Sequence, residues 1–267
     1  MDLEYVTHHT VAKTHIPKSG NVGGVLLQNF SVAIDSTNSL KTGSVFLHKL
    51  EQYCGLPVKY LIITHYHSDH TGCVRPRRKG SSQDVLEDIS IVTSEATAKN
   101  MPKSFRKLPL CTFEDTFTIE DSDLSIEICH TGGHTSGSSV IYVPHEKVVF
   151  AGDLIIQDSF PWGADTTCDP DLWIRALEYL ESLDVEKIVP GHGPVLTRDE
   201  LEKHTTFLKD LRSTIQDAVR ENNPPATIGI LQHYFELFPD LEQTNLADRR
   251  GRPTVAHWYK FYKSKKL

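Results

Sequence analysis

Apolar residues along this chain fall into short runs separated by turn residues, with stretches of helical spacing between them. Val22–Gln28 and Ser31–Ile34 are brief apolar segments divided around Asn29, the pattern of two paired strands at the start of a sheet. Gly43–Tyr53 carries Val45, Leu47, Leu50 and Tyr53 at helical spacing, and Gly55 is placed to stop that helix. Lys59–Thr64 (KYLIIT) reads as a continuous apolar strand buried on both faces. Ile89–Thr93 predicts a further strand and Ser94–Met101 a short helix.

The second half repeats the rhythm. Leu124–Cys129, Ser139–Val143 and Lys147–Ala151 predict strands. A helix follows with Asp169 as N-cap, Pro170 at its first position, and Leu172, Ala176, Leu180 and Leu183 on one face. Lys187–Val189 is a short strand. Thr197 and Glu200 form a capping box for a long helix to about Asn222, which Pro224 and Pro225 end. Another short helix is expected over Ile228–Leu237, and the tail closes as HWYKFYKSKKL. Two halves of strands and helices, with strands inside, make a four-layer αββα sandwich the economical α/β architecture. The expectation is one domain over residues 1–267, its C-terminal helical segment, about 198–267, packed on the rest.

Composition narrows the function classes. A hydrophobic share of 39% and a charged share of 24% are ordinary for a globular protein. The net charge of −7 sets the chain against a polyanionic partner, since nucleic-acid binding draws on clustered Lys and Arg. The basic, turn-rich stretch Arg75–Gly80 with Ser81 and Ser82 reads either as a solvated loop or as a grip for an anionic substrate. Five widely spaced cysteines without a CxxC pair suit reduced thiols. With no apolar run of membrane length and no apolar core in the N-terminal stretch MDLEYVTHHT, the expectation is a cytoplasmic protein without a membrane partner. The partners left are a small-molecule substrate and a second copy of the chain in a homodimer.

Fourteen histidines are many for this length, and their placement is uneven. His65-Tyr66-His67-Ser68-Asp69-His70 follows the KYLIIT strand directly. In extended backbone, residues two apart point the same way, so His65 and His67 can reach one ion while Tyr66 faces away. A turn after His67 would swing Asp69 and His70 towards a second ion. Imidazole and carboxylate ligands suit zinc, with iron and manganese less selectively. Three more apolar strands run into single ligand-type residues flanked by glycine: TGGH at His134, AGD at Asp153 and PGHG at His192. Side chains on loops held by a rigid sheet are the usual arrangement of a site.

Through THYHSDH, TGGHTSGS, FAGD and PGHG, the sequence over about Asn21–Pro194 resembles the metallo-β-lactamase superfamily. The resemblance implies that His65, His67 and His134 hold a first metal. Asp69, His70 and His192 would hold a second, with Asp153 bridging both. A bridging Asp looks like the glyoxalase II, lactonase and RNase Z branches, whereas true β-lactamases carry Cys or Ser there. The Leu154-Ile155-Ile156-Gln157 segment departs from the Gly-Cys-Gly-Arg of classical glyoxalase II and from the lactonases, which carry Tyr at the position of Ile156. No subfamily is assigned.

Two divalent ions side by side bring the pKa of a shared water from about 15.7 to about 7, which makes a metal-bridging hydroxide available for attack on an acyl carbonyl. Asp69 would be the catalytic residue, orienting that group and carrying a proton to the leaving group. The reaction expected is therefore dizinc hydrolysis of a small ester, thioester or lactone. A nuclease or phosphodiesterase on the same centre, or an iron-dependent sulfur dioxygenase, are the alternatives; the resemblance implies that the dioxygenases are mononuclear and do not need the second ligand set. Phe160 and Trp162 follow the Asp153 strand and are either an apolar substrate wall or packing beneath a loop. His257 is a substrate-side candidate through the C-terminal helix that superfamily members return towards the cleft. His8, His9, His15, His48, His130, His145, His204 and His233 have no companion ligand motif and read as ordinary structural or surface residues.

Overall fold

The structure is a computed structural model that describes residues 2–74, 86, 88–157, 159–225, 227–239 and 245–265. The basic stretch from Arg75 to Ser82 lies outside the described residues.

Twelve strands are described, in two mixed sheets. The first sheet holds β1 (Glu4–Tyr5), β2 (Thr10–Lys13), β3 (Val22–Leu26), β4 (Ser31–Ile34), β5 (Val58–Ile62), β6 (Ser90–Ser94) and β7 (Leu110–Phe113) in sequential order. Its first four strands are antiparallel, and β4 to β7 run parallel. The second sheet is ordered β12 (Lys187–His192), β11 (Val148–Ile156), β10 (Ser139–Val143), β9 (Leu124–His130), β8 (Thr116–Asp121). Only the β11–β12 pair in it is parallel.

Three buried apolar clusters correspond to the three interfaces of a four-layer αββα sandwich. On the outer face of the first sheet, Phe46, Leu47 and Leu50 of helix α1 (Leu40–Cys54) meet Leu61, Ile63 and Ile91. Between the sheets, Val32, Ile62 and Val92 interlock with Ile126, Ile141 and Phe150. Beyond the second sheet lie α3 (Pro170–Ser182), α4 (Arg198–Arg220), α5 (Thr227–Leu237) and α6 (Asn245–Ser264), which share a core of Trp173, Phe207, Tyr234 and Trp258 with Ile155 and Ile188. The short helix α2 (Glu95–Asn100) follows β6 with Ser94 as its N-cap.

The local signals act as their chemistry requires. Asp169 accepts from the backbone N–H groups of Asp171 and Leu172, with Pro170 at the first turn of α3. Thr197 and Glu200 close the capping box of α4, and Gly55 ends α1 in the left-handed region at φ 67°.

Two expectations need correction. The strand expected to stop at Ala151 continues to Ile156, because Leu154 and Ile155 are buried against α3; Asp153 thus lies within the strand rather than after it. The strand expected to be buried on both faces has Lys59 exposed, its ammonium 4.7 Å from the centre of the Phe30 ring.

Phe46 is fully buried between α1 and the first sheet. Phe46→Ala is expected to cost about 3–5 kcal/mol of stability, read from a lower urea midpoint at unchanged slope. A loss below about 1 kcal/mol would contradict this packing.

Candidate metal centre

The centre forms where five strands end at one rim of the sandwich. β4 and β5 are parallel, and β9, β11 and β12 share one direction in the other sheet. Their C-terminal ends deliver Asp35, the His65–His70 turn, His134, Asp153 and His192. Ligands of open α/β sheets characteristically sit at such carboxyl ends. The Ser139 N–H donates to the Thr64 carbonyl at 2.9 Å and ties the two sheets together beside the site.

Hydrogen bonds fix the ring states of three histidines. His70 Nδ1 donates to Asp35 Oδ2 at 2.7 Å. His65 Nδ1 donates to Thr64 Oγ1 at 3.0 Å, and that hydroxyl donates in turn to Asp35 at 2.9 Å. One buried carboxylate therefore holds the Nδ1 protons of two rings in place and turns their Nε2 atoms towards the interior. His67 is held the other way round: its Nε2 donates to Asp165 Oδ2 at 3.1 Å, which frees Nδ1. Asp165 is itself fixed by the Tyr66 hydroxyl at 2.6 Å and by the Thr167 N–H and hydroxyl, each at 2.8 Å. Tyr66 does not turn away from His67 as strand alternation predicts: its ring packs edge-on against the His67 ring with centres 5.3 Å apart, because both side chains bond Asp165.

The freed nitrogens converge. His67 Nδ1 lies 3.0 Å from His65 Nε2 and 3.1 Å from His134 Nε2. A tetrahedral zinc with bonds of about 2.0–2.1 Å spaces its ligand nitrogens roughly 3.3 Å apart, close to what these rings adopt. Asp69, His70 and His192 form the second group, with His192 Nε2 3.2 Å from Asp69 Oδ2. Asp153 stands between the groups. Its Oδ2 faces His134 and His65 at 3.6 and 3.8 Å, and its Oδ1 faces His70 and His192 at 3.0 and 3.4 Å.

His70 Nε2 and Asp153 Oδ1, which face one another at 3.0 Å, are buried without a hydrogen-bond partner; His134 Nδ1 is another such atom, on the far side of its ring from the Nε2 that faces His67 and Asp153. Buried polar atoms are nearly always satisfied, so the two orphans that face one another ask for a cation. The donor set of nitrogen and carboxylate oxygen, without sulfur, fits a hard or borderline divalent ion.

Charge coupling is strong. Burial opposes protonation of His192, yet the adjacent Asp153 carboxylate and the bond to Asp69 push its pKa up to about 9. Burial likewise opposes ionisation of Asp69, but His70 and His192 override it and hold that carboxyl at about 2. Asp153 is driven well below the usual carboxylate range by His192 and His70 against its own burial. His134, packed on Trp173, is pushed down to about 3 chiefly by burial.

Glycine supplies the close approaches. A Cβ on Gly191 would stand 1.9 Å from Asp153 Oδ1, and Gly133, at φ 105°, would bring one within 2.7 Å of the Trp173 backbone. The pairing of β11 with β12 shifts register on both sides of Gly152, an irregularity of the kind that re-aims a side chain beside a site. Asn21 clamps the His192 turn by donating to the carbonyls of Pro190 and Gly193, each at 2.9 Å.

The seven residues singled out as ligands thus meet at one rim. The cleft above them, about 370 Å³, is lined by Trp162, Ile156, Arg249 and Arg250 together with His67, Asp69 and His192. Trp162 stacks edge-on against His67 with ring centres 5.3 Å apart. Phe160 is not a cleft wall: it is buried and packs on Phe207 and Tyr234, because the core beneath α4 and α5 is where its area is removed from water. His257 also stays out of the cleft lining, its Nε2 lying 3.3 Å from the Cys168 carbonyl.

Comparison with known proteins agrees with this geometry. The metallo-beta-lactamase superfamily profile matches residues 28–192, and the chain belongs to that superfamily. It is 24% identical over 143 residues to a beta-lactamase-like protein 2 homolog of Caenorhabditis elegans, covering 53% of this chain and 44% of that protein. It is 27% identical over 167 residues to a hydroxyacylglutathione hydrolase of Haemophilus influenzae, covering 57% of this chain and 77% of that one. The chain spans about half the length of the first curated relatives it matches. Among solved structures, a metallo-beta-lactamase from Pontibacter korlensis superposes with a TM-score of 0.61 at 21% identity, covering 78% of this chain and 99% of that one.

Asp35→Ala would leave His70 Nδ1 and the Thr64 N–H buried without their acceptor. Zinc affinity, read by competition with a chromophoric chelator, is expected to fall about 10–100-fold. Affinity equal to wild type would contradict the orienting role.

Proposed function

We propose that this chain is a two-metal hydrolase of small esters, thioesters or lactones, with zinc in both positions. The observation that carries the reading is Asp153: each of its carboxylate oxygens faces a separate group of histidines. A single-ion centre would need only one of those groups. Divalent ions held there would supply an activated water near neutral pH and a Lewis acid for the acyl oxygen.

The chain's own residues do the rest. Asp69 is the ligand-type carboxylate with most exposure to the cleft, its side chain 30% accessible against 6% for Asp153. It is ionised and pinned through its carbonyl by the Ser19 hydroxyl and the Gly20 N–H, at 3.1 and 3.2 Å. From there it can orient the attacking water and pass a proton to the leaving oxygen or sulfur. Trp162 offers a flat apolar wall over His67 and His134 for the acyl chain. Arg249 and Arg250 of α6 add positive charge to the cleft mouth, which favours substrates carrying a carboxylate or phosphate away from the scissile bond. The hydroxyacylglutathione hydrolase among the relatives supports the thioester arm of this reading. Reduced thiols throughout and the absence, among the described residues, of any helix long and apolar enough to cross a membrane suit a cytoplasmic enzyme.

Purified zinc-loaded protein is expected to cleave an aryl ester, a thioester or a lactone in a screen that also includes a phosphodiester. Asp153→Ala should lose at least one zinc by elemental analysis along with most turnover. Activity confined to the phosphodiester, or full metal content and turnover in Asp153→Ala, would overturn the proposal. Arg250→Ala is expected to raise KM for an anionic acyl substrate about ten-fold, the worth of one charged hydrogen bond, and to leave a neutral ester unchanged. Equal effects on both substrates would remove Arg250 from substrate recognition.

A further inference from the structure

Two of the histidines that had no companion in the sequence acquire one in space. His9 lies in the turn between β1 and β2, at the edge of the first sheet. His145 and Glu146 lie in the single 3-10 turn, Pro144–Glu146, that joins β10 to β11 in the second sheet. His9 Nδ1 is 2.6 Å from Glu146 Oε1, and His145 Nδ1 is 3.5 Å from the same oxygen. One donor atom from each of the three residues lies within 4.8 Å of the other two.

The Glu146 carboxylate is unlike that of an ordinary surface turn. Its side chain is only 7% accessible, and its second oxygen accepts from the His9 backbone N–H at 3.3 Å. Burial opposes its ionisation, but hydrogen bonds from the Thr7 hydroxyl and from His9 prevail and hold its pKa at about 2. A fixed, ionised carboxylate therefore sits at the base of a shallow cup with two imidazoles around it. His145, 63% accessible at its side chain, closes the open side, its ring centre 6.3 Å from that of His9.

We propose that His9, His145 and Glu146 form a second divalent-metal site, separate from the candidate centre and binding zinc or a similar ion. Two imidazoles and one carboxylate are a sufficient zinc donor set, with the remaining position left to water. On binding, His9 Nδ1 gives up the proton it places on Glu146, which moves to Nε2 or to solvent. Its lone pair then goes to the ion while the carboxylate keeps its charge.

The position sets what the site does. Glu146 precedes β11 by two residues, whereas Asp153 lies five residues along that strand from Val148, a rise of about 17 Å. The ion would sit at the opposite end of the sandwich from the cleft and touch no substrate. It would join the outer turn of the first sheet to the second sheet, near where Lys187 donates to the Val6 carbonyl at 2.6 Å. A ligand held only by the folded chain raises its stability, so the role is a structural clasp between the layers.

The test uses Zn2+ alone as the probe, with wild-type chain, His145→Ala and His9→Gln. After saturation with Zn2+ and removal of excess by gel filtration, wild type is expected to hold one ion more per chain than either variant. Its melting temperature should also rise on adding Zn2+ beyond saturation of the candidate centre, with no such rise in His145→Ala. Hydrolytic activity should be the same in all three, which confirms that the variants are folded and that the cleft is intact. Equal zinc content in wild type and His145→Ala, or an identical melting response, would overturn the proposal. Because the readout is the difference between wild type and these variants, it holds whatever the count at the candidate centre proves to be.

Discussion

Lone pairs aimed at one another are unfavourable unless something positive lies between them, and the rim of this sandwich is organised around that constraint. Asp35 fixes the Nδ1 protons of His70 and, through the Thr64 hydroxyl, of His65, while Asp165 fixes the Nε2 proton of His67. The three rings are thereby oriented with His65 Nε2, His67 Nδ1 and His70 Nε2 towards the interior; against its own burial, the Asp153, Asp35 and Asp69 carboxylates raise the pKa of His70 well above its usual value, so an ion there would displace a proton. With Asp153 wedged between the groups and His134 closing the first, the result is a concentration of ligand-type atoms at the floor of the cleft. Burial makes each uncompensated contact expensive, so the arrangement is meaningful as a place built for cations.

The rest of the fold can be understood as what holds those groups still. Parallel β4 and β5 bring Asp35 beside the Thr64 backbone, and the register shift in β11 lets Asp153 leave its ladder. Gly191 and Gly20 remove the Cβ atoms that would strike Asp153 and the His70 ring. Behind the second sheet, Trp173 donates to the Leu154 carbonyl at 2.9 Å and backs the His134 ring. The helical layer thus supports the metal rim through one tryptophan as well as by covering apolar surface.

Much of this was legible in the sequence because the signals were local. An apolar strand running into a lone histidine or aspartate, with glycine alongside, marked all four ligand segments, and capping residues placed α3 and α4 to within a few positions. What escaped was set by distance. Asp35 ends an apolar strand as the ligands do, and that signal could have found it; Asp165, in a loop without pattern, had none. Strands β1, β2, β7 and β8 are short or polar on one face, so their pairing depends on neighbours remote in sequence. Gly251 of α6 lets Leu231 of α5 approach to 2.8 Å of where a Cβ would stand, a contact between helices that no local pattern announces. Phe160 looked like a cleft residue by position and is a core residue by packing.

The central claim is that Asp153 separates two cation positions. Anomalous diffraction at the zinc edge from crystals grown with zinc measures it directly. Two peaks are expected, one among His65, His67 and His134 and one among Asp69, His70 and His192, with an Asp153 oxygen towards each. A single peak at full zinc loading, or Asp153 turned away from both histidine groups, would contradict it.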